Sequence, residues 1–238
     1  MHYLPCLPPL LNVVAPQKIM YLADDHFRKS GVRGNTNVIF ATPGTVIFGT
    51  KEFADTLTKV IKRKDIITRF FYAPASIHPL KKEVRFRYTG PEEWKGIPAI
   101  NEKMGLDKLV TVPYDMLHLA PPQSAPDFIR ESVLAVQNGA NQGWLDVNIH
   151  SLQHNRFPNV YGLGDVVALP TAKTGAAIRK QAPVVVSHIL SELGEKSQPQ
   201  MYHGYSSCPL VTGYGKMLLA EFKYGNEPGS DPFLRCHR

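Results

Sequence analysis

Cysteine is scarce in this 238-residue chain: Cys6, Cys208 and Cys236 are the only three. So few, so far apart, make neither a disulfide framework nor a zinc pattern, which suits a reducing, intracellular compartment. Long apolar runs are missing too. No stretch approaches the roughly 18 residues that cross a membrane as a helix. The opening MHYLPCLPPLLNVV is apolar and Pro-rich but holds no Arg or Lys. It matches neither a signal peptide, with its charged start, nor an Arg-rich transit peptide, so no targeting segment is visible. Nor is there any Gly-x-Gly-x-x-Gly, the turn that seats a dinucleotide pyrophosphate at the start of many α/β domains.

What is present supports a folded core: 43% of residues are hydrophobic and 10% aromatic. The formal net charge of +7 suits an anionic partner, whether a membrane surface, a nucleotide cofactor or nucleic acid. The cations are scattered, however, with 62–64 (KRK) and 81–82 (KK) the densest runs. No RNA-binding motif or recognition-helix pattern accompanies them, so they read as solvated surface, with no nucleic-acid partner.

From Ala15 the pattern becomes regular. Ile19, Met20, Leu22, Ala23 and Phe27 recur near a 3.6-residue period, predicting a helix over 16–29 that starts at Pro16 and stops at Gly31. NTNVIFAT (35–42) reads as a strand. A second amphipathic helix follows over 48–65, with Phe53, Leu57, Val60 and Ile61 on one face. ITRFFYA, IHPLKKEVRFRYTG and LVTVPYDMLHLAPP read as strands, and 90–105 as a polar surface loop. This is α-β-α-β-β-β without the usual first strand, so the chain starts inside a domain. GWLDVN predicts a short strand, 174–193 a helix, and KMLLAEFKY a last strand after an aromatic-rich turn carrying Cys208.

The stretch NVYGLGDVVALPTAKTGAAIRKQAPVVVSHIL (159–190) carries the most chemistry. An apolar strand runs into Gly164-Asp165, and a helix opens at Lys173-Thr174-Gly175-Ala176. The free N–H groups and dipole of a helix start favour an anionic or electron-rich group, while a carboxylate at Asp165 accepts hydrogen bonds from sugar-type hydroxyls. An ordinary strand–loop–helix corner, with Asp165 as a turn or cap residue, has the same pattern. Pro183 predicts either a kink in the helix or two shorter helices. Cys208, on an accessible loop, is either a redox nucleophile or a buried, inert thiol. His118 either polarises a carbonyl of a bound cofactor or is a satisfied strand histidine.

Together these stretches resemble a family, the sulfide:quinone oxidoreductases of mitochondrial type. The similar segments are APQKIMYLADDHFRKSG, YDMLHLAPPQSAPDFI, RFPNVYGLGDVVALPTAKTGAAIRKQAPVVV and YSSCPLVTGYGKMLLAEFKYGNEP, spread from about residue 15 to 228. The resemblance implies an α/β fold: an incomplete two-dinucleotide-binding-domain (Rossmann-like) flavoprotein of the disulfide-reductase type. It implies FAD as cofactor, with Gly164, Asp165, Lys173, Thr174, Gly175 and Ala176 at contact positions and Pro121 and Pro122 lining the same site. Cys208 matches one of the two cysteines that carry sulfur as a persulfide or bridging sulfur, and no metal is implied. Partners implied are sulfide, ubiquinone and a small thiol or sulfur acceptor, at the mitochondrial inner membrane with peripheral association.

The departures from the family are equally specific. Its N-terminal half-domain with the Gly-rich turn is absent, and its partner cysteine would stand just before APQK, where this chain has LNVV. Cys6 is nearby but outside that motif. The resemblance therefore implies a truncated chain of impaired activity. It divides as a 1–14 extension, a 15–120 second (NAD-like) domain lacking its first strand, and a 121–238 C-terminal part of the FAD domain. The alternatives are a non-catalytic α/β association module with an open sheet edge, and a flavin-dependent NADH:quinone reductase relative, for which VVAPQK offers no nucleotide-phosphate turn.

Overall fold

A computed structural model describes residues 14–120, 123–195 and 198–229. The chain forms two compact units, and it passes from the second into the first and back along its final hairpin. The first takes in the described residues up to 120 together with Leu210–Leu218; the second takes in Gln123–Pro209 and the chain from 219 onward.

The first unit opens with α1 (Val14–Lys29). It ends as the sequence predicts, at Gly31. The Val32 N–H reaches the Phe27 carbonyl (3.0 Å) and the Gly31 N–H the Arg28 carbonyl (3.2 Å), a Schellman closure that needs the left-handed φ of +73° at Gly31. β1 (Ile39–Ala41), α2 (Lys51–Lys64) and β2 (Ile67–Arg69) follow, the two strands pairing in parallel. Parallel strands need such a crossover. α2 buries Leu57, Val60 and Ile61, the face its periodicity predicts.

Charge clamps the ends of the two helices together. Asp24 has no exposed side-chain surface, yet accepts from Arg28 Nε (3.0 Å), Arg33 Nε (2.7 Å) and Lys64 Nζ (2.8 Å). Lys64 also donates to Asp25 (2.5 Å), whose other oxygen takes the Tyr214 N–H (2.8 Å). A carboxylate with no exposed surface is tolerable only when paired this fully.

The same unit holds a four-stranded antiparallel sheet in the order β3-β4-β6-β5: β3 (Tyr72–His78), β4 (Glu83–Tyr88), β5 (Lys103–Met104) and β6 (Leu109–Pro113). Tyr72, Val84, Phe86, Val110 and Val112 form its core. Two expectations need correction here. β6 stops at Pro113, so Tyr114–Ala120, including His118, is irregular chain rather than strand. The 90–105 segment is not simply a surface loop. It contributes β5, the buried Ile100, and Glu102, whose side chain is fully buried in an ion pair with Arg69. Trp94 Nε1 donates to the Tyr72 hydroxyl (2.7 Å), so the insertion is tied to β3.

The second unit is poor in regular structure but has its own core, in which Leu145, Val147, Leu152, Val167 and Leu169 meet Val184, Val185, Tyr202 and Tyr205. Residues 144–148 (WLDVN) make isolated bridges, Leu145 to both Ala135 and Val167 and Val147 to His154, where a strand is expected. His154 holds this loop-rich region together: its Nδ1 accepts from the Arg156 and Phe157 N–H groups, while Nε2 lies 3.0 Å from the Leu134 carbonyl. A short α3 (Asp127–Arg130) precedes the long α4 (Gly175–Glu192). α4 continues through Pro183 as a single helix, so the two-helix reading is excluded. The hairpin β7 (Ser206–Gly213) and β8 (Lys216–Phe222) closes the fold. Among the described residues no helix is long and apolar enough to cross a membrane.

Candidate functional site

Within the second unit, the residues singled out in 159–190 converge on the start of α4. Thr174 is its N-cap: extended at φ −132° and ψ 154°, it accepts the Ala177 N–H on its side-chain oxygen (3.1 Å). That leaves the N–H groups of Gly175 and Ala176 with no acceptor inside the helix. Gly175 is exposed, with nothing within 4 Å of where a Cβ would stand. The positive end of an 18-residue helix is thus exposed at Gly175.

The turn at Gly164–Val166 faces this opening through Lys173. Gly164 is buried, sits at φ +78° and gives its N–H to Gln181 Oε1 (2.7 Å). Its amide is thus spent internally, and its contribution is the shape of the turn. Asp165 is exposed, and it is its main-chain carbonyl that binds Lys173 Nζ (2.5 Å). The carboxylate is left facing solvent. Lys173 also donates to the Val167 carbonyl (2.8 Å) and stands 3.8 Å from the centre of the Trp144 ring. Burial pushes its ammonium down to about 8, against the pull of Asp165.

Beneath the turn is a small cavity of about 10 Å³, the room of a single water, lined by Gly164, Thr171, Lys173, Thr174, Gln181 and apolar neighbours. It is not a cofactor pocket. No buried side-chain nitrogen or oxygen among the described residues lacks a hydrogen bond. The groups available to a ligand are therefore exposed ones: the N–H groups at the α4 start and the Asp165 carboxylate. That donor set fits the anionic and hydroxyl-bearing parts of a flavin nucleotide. No three or more His, Cys, Asp or Glu among the described residues cluster as a metal site.

Cys208 stands differently from the expectation. It lies in the middle of β7 rather than on a loop, and is only 6% exposed. The strand is nevertheless anchored at the site. Ser206 Oγ lies 2.9 Å from Thr174 Oγ1 and 3.3 Å from the Ala172 carbonyl, and Cys208, two residues on, shares its face of the strand. Pro121, Pro122 and Cys6 lie outside the described residues. Trp144, Gln181 and Ser206 carry no local sequence signal, because each reaches the site from a distance: 29 positions from Trp144 to Lys173, 17 from Gln181 to Gly164 and 32 from Ser206 to Thr174.

In sequence, 220 residues of this chain are 39% identical to mitochondrial sulfide:quinone oxidoreductase of Mus musculus. The enzymes of the same name from Schizosaccharomyces pombe and Dictyostelium discoideum are 37% and 36% identical. The chain is a relative of the mitochondrial sulfide:quinone oxidoreductases. The matches cover 90–92% of it but only 43–45% of those proteins, so the chain spans less than half the length of the curated relatives it matches. No family model matches it. In fold it is similar to the sulfide:quinone oxidoreductase of Aquifex aeolicus, with a TM-score of 0.68 at 17% identity over 92% of this chain and 53% of that one. It is also similar to a chain of the Tetrahymena thermophila mitochondrial ATP synthase assembly, with a TM-score of 0.67 at 20% identity over 88% and 47%. The fold is a partial Rossmann-like fold of the α/β class.

Proposed function

We propose that this chain is part of a flavin-dependent oxidoreductase that oxidises sulfide and passes electrons to ubiquinone, with FAD held at the mouth of α4. The observation that carries this reading is the exposed α4 start at Gly175, tied through Lys173 to the turn that bears the exposed Asp165. In it the Gly175 and Ala176 N–H groups face an electron-rich part of the cofactor, and Asp165 accepts from its hydroxyls. Gly164 shapes the turn, Thr174 fixes the helix start, and Lys173 lies behind both.

FAD, when bound, supplies a two-electron acceptor. The chain's own contribution is Cys208, which would hold the transferred sulfur as a persulfide until a small thiol or another sulfur acceptor removes it. The reading includes a mitochondrial setting, on the strength of the relatives' names, and peripheral contact with the inner membrane, where the quinone resides. Its test is anaerobic addition of sulfide to the FAD-loaded chain with a soluble ubiquinone analogue. Quinone reduction that depends on both sulfide and FAD is the expected result; none in the presence of bound FAD would refute an active chain.

A second reading, a non-catalytic association module, has its own support. Val186, Ile189, Leu190 and Leu193 project from one side of α4 at i, i+3, i+4 and i+7, with Val186 53% and Leu193 75% exposed. Such stripes mark interaction surfaces. Among the described residues, moreover, β1 pairs with β2 alone, leaving sheet edges open. Light scattering on the purified chain separates the readings: a stable oligomer without FAD favours association, and a monomer counts against it.

A further inference from the structure

Lys173 is in an unfavourable place for a cation. It immediately precedes the cap of α4, where the helix dipole is positive. It is also partly buried, which penalises its charge again. A lysine kept there as an ammonium needs compensation, and the structure supplies it from three directions. The Asp165 carbonyl (2.5 Å) and Val167 carbonyl (2.8 Å) take two of its three donors, and the Trp144 ring lies 3.8 Å away.

These contacts come from separate pieces of chain. Asp165 and Val167 belong to the turn, and Trp144 to the segment bridged to that turn. The Leu145 N–H reaches the Val166 carbonyl and the Ala168 N–H the Leu145 carbonyl, both at 2.9 Å. Lys173 itself belongs to the α4 start. One ammonium therefore joins three segments between the exposed Asp165 and the exposed start of α4.

We propose that Lys173 is a positioning residue, whose ammonium clamps the Asp165–Val167 turn and the Trp144 ring to the α4 start so that Asp165 and the helix N–H groups meet one ligand as a single preset site. That the ligand is a flavin nucleotide rests on the proposed function; the clamp itself does not. The one charged group acting on the ammonium is Asp165, from the turn. The other groups around it, the Trp144 ring and the Thr171, Thr174 and Gln181 side chains lining the cavity below, do not titrate in the accessible range. With the ammonium lowered to about 8, its attraction to the ring is present at neutral pH and is lost as the amine turns neutral, even though deprotonation also relieves the larger cost of burying the charge.

The test uses the full chain labelled with 5-fluorotryptophan. The sequence has only two tryptophans, Trp94 and Trp144, so two fluorine resonances result, and Trp94→Phe assigns them. The Trp144 resonance should titrate with a midpoint near 8 in the wild type, stay flat in Lys173→Met, and stay flat in Lys173→Arg, whose charge persists. In parallel, FAD affinity measured at neutral pH should fall about tenfold in Lys173→Met and less than about threefold in Lys173→Arg. A Trp144 resonance that does not move in the wild type overturns the clamp. A normal titration with unchanged FAD affinity in Lys173→Met overturns its positioning role. A wild type that binds no FAD refutes the flavin reading instead, and the Trp144 titration still decides the clamp.

Discussion

Thr174 Oγ1 and Ser206 Oγ lie 2.9 Å apart, joining the cap of α4 to the strand that carries Cys208. The cap accepts the Ala177 N–H on a lone pair, and Ser206 lies within reach of the Ala172 carbonyl for its own proton, so the Thr174 proton is free to go to Ser206. One hydroxyl thus sets the helix start and the approach of β7.

Thr174→Ala removes both roles. Loss of a cap typically costs about 1 kcal/mol, up to about 2. The expected outcome is a drop of that size in urea unfolding, with Thr174→Ser close to wild type because it keeps the hydroxyl. Equal losses in both variants would mean that the methyl group, not the cap, matters.

The two glycines of the site should differ under substitution. Gly164→Ala forces a left-handed residue with Ile178 Cδ1 3.4 Å from the new Cβ, and should cost about 1 kcal/mol or more. Gly175→Ala meets open space at a helix start and should cost little or nothing in stability. Thermal melts of the two single variants check the contrast. Gln181→Leu belongs with the first: it strands the buried Gly164 N–H, at about 1–3 kcal/mol.

The buried Asp24 cluster should make the first unit sensitive to acid. Burial alone would raise the Asp24 carboxyl, but hydrogen bonds from Arg28, Lys64 and Arg33 together pull it below its ordinary value. A carboxyl held low in the folded state contributes stability above its unfolded value and loses that contribution as pH falls through the folded one. Asp24→Asn should therefore destabilise by about 3–5 kcal/mol at neutral pH, and the gap from wild type should narrow as pH falls below the ordinary carboxylate range. Unfolding curves at several acidic pH values give the comparison.

For Lys173 the sign is opposite. Its folded value of about 8 lies below the 10.5 of a free lysine, so between these pH values the unfolded chain binds more protons than the folded one. Stability contributed at this position rises with pH across that window. Relative to Lys173→Met, the wild type should gain stability from about pH 8 upward; a constant difference would contradict a lowered lysine.

Cys208, 6% exposed on β7, should react slowly with a thiol reagent in the native chain and fast in denaturant, measured in a Cys6→Ser/Cys236→Ser background. If it carries sulfur, Cys208→Ser abolishes sulfide-dependent turnover while leaving FAD binding within about twofold.

The helices were legible because their apolar spacing is local: α1 ends at Gly31 and α2 buries Leu57, Val60 and Ile61 as the period requires. The Asp165 turn and Thr174 helix start were legible as a motif. The strand at Cys208 was not, since SSCP between aromatics and glycines looks like a turn, and its pairing with β8 is set by tertiary contact. The 90–105 insertion misled for a related reason. Trp94 and Glu102 look solvated in a polar run, and only the fold supplies Tyr72 and Arg69 to them. Trp144 over Lys173 is likewise invisible to any local pattern.

The most direct test of the central claim is a titration of the purified chain with FAD, followed by quenching of flavin fluorescence and the shift of its visible absorption bands. Saturable binding, weakened by Asp165→Ala and by Lys173→Met, is what an FAD site at the mouth of α4 predicts. No binding at all, in a chain shown by its melt to be folded, would contradict it.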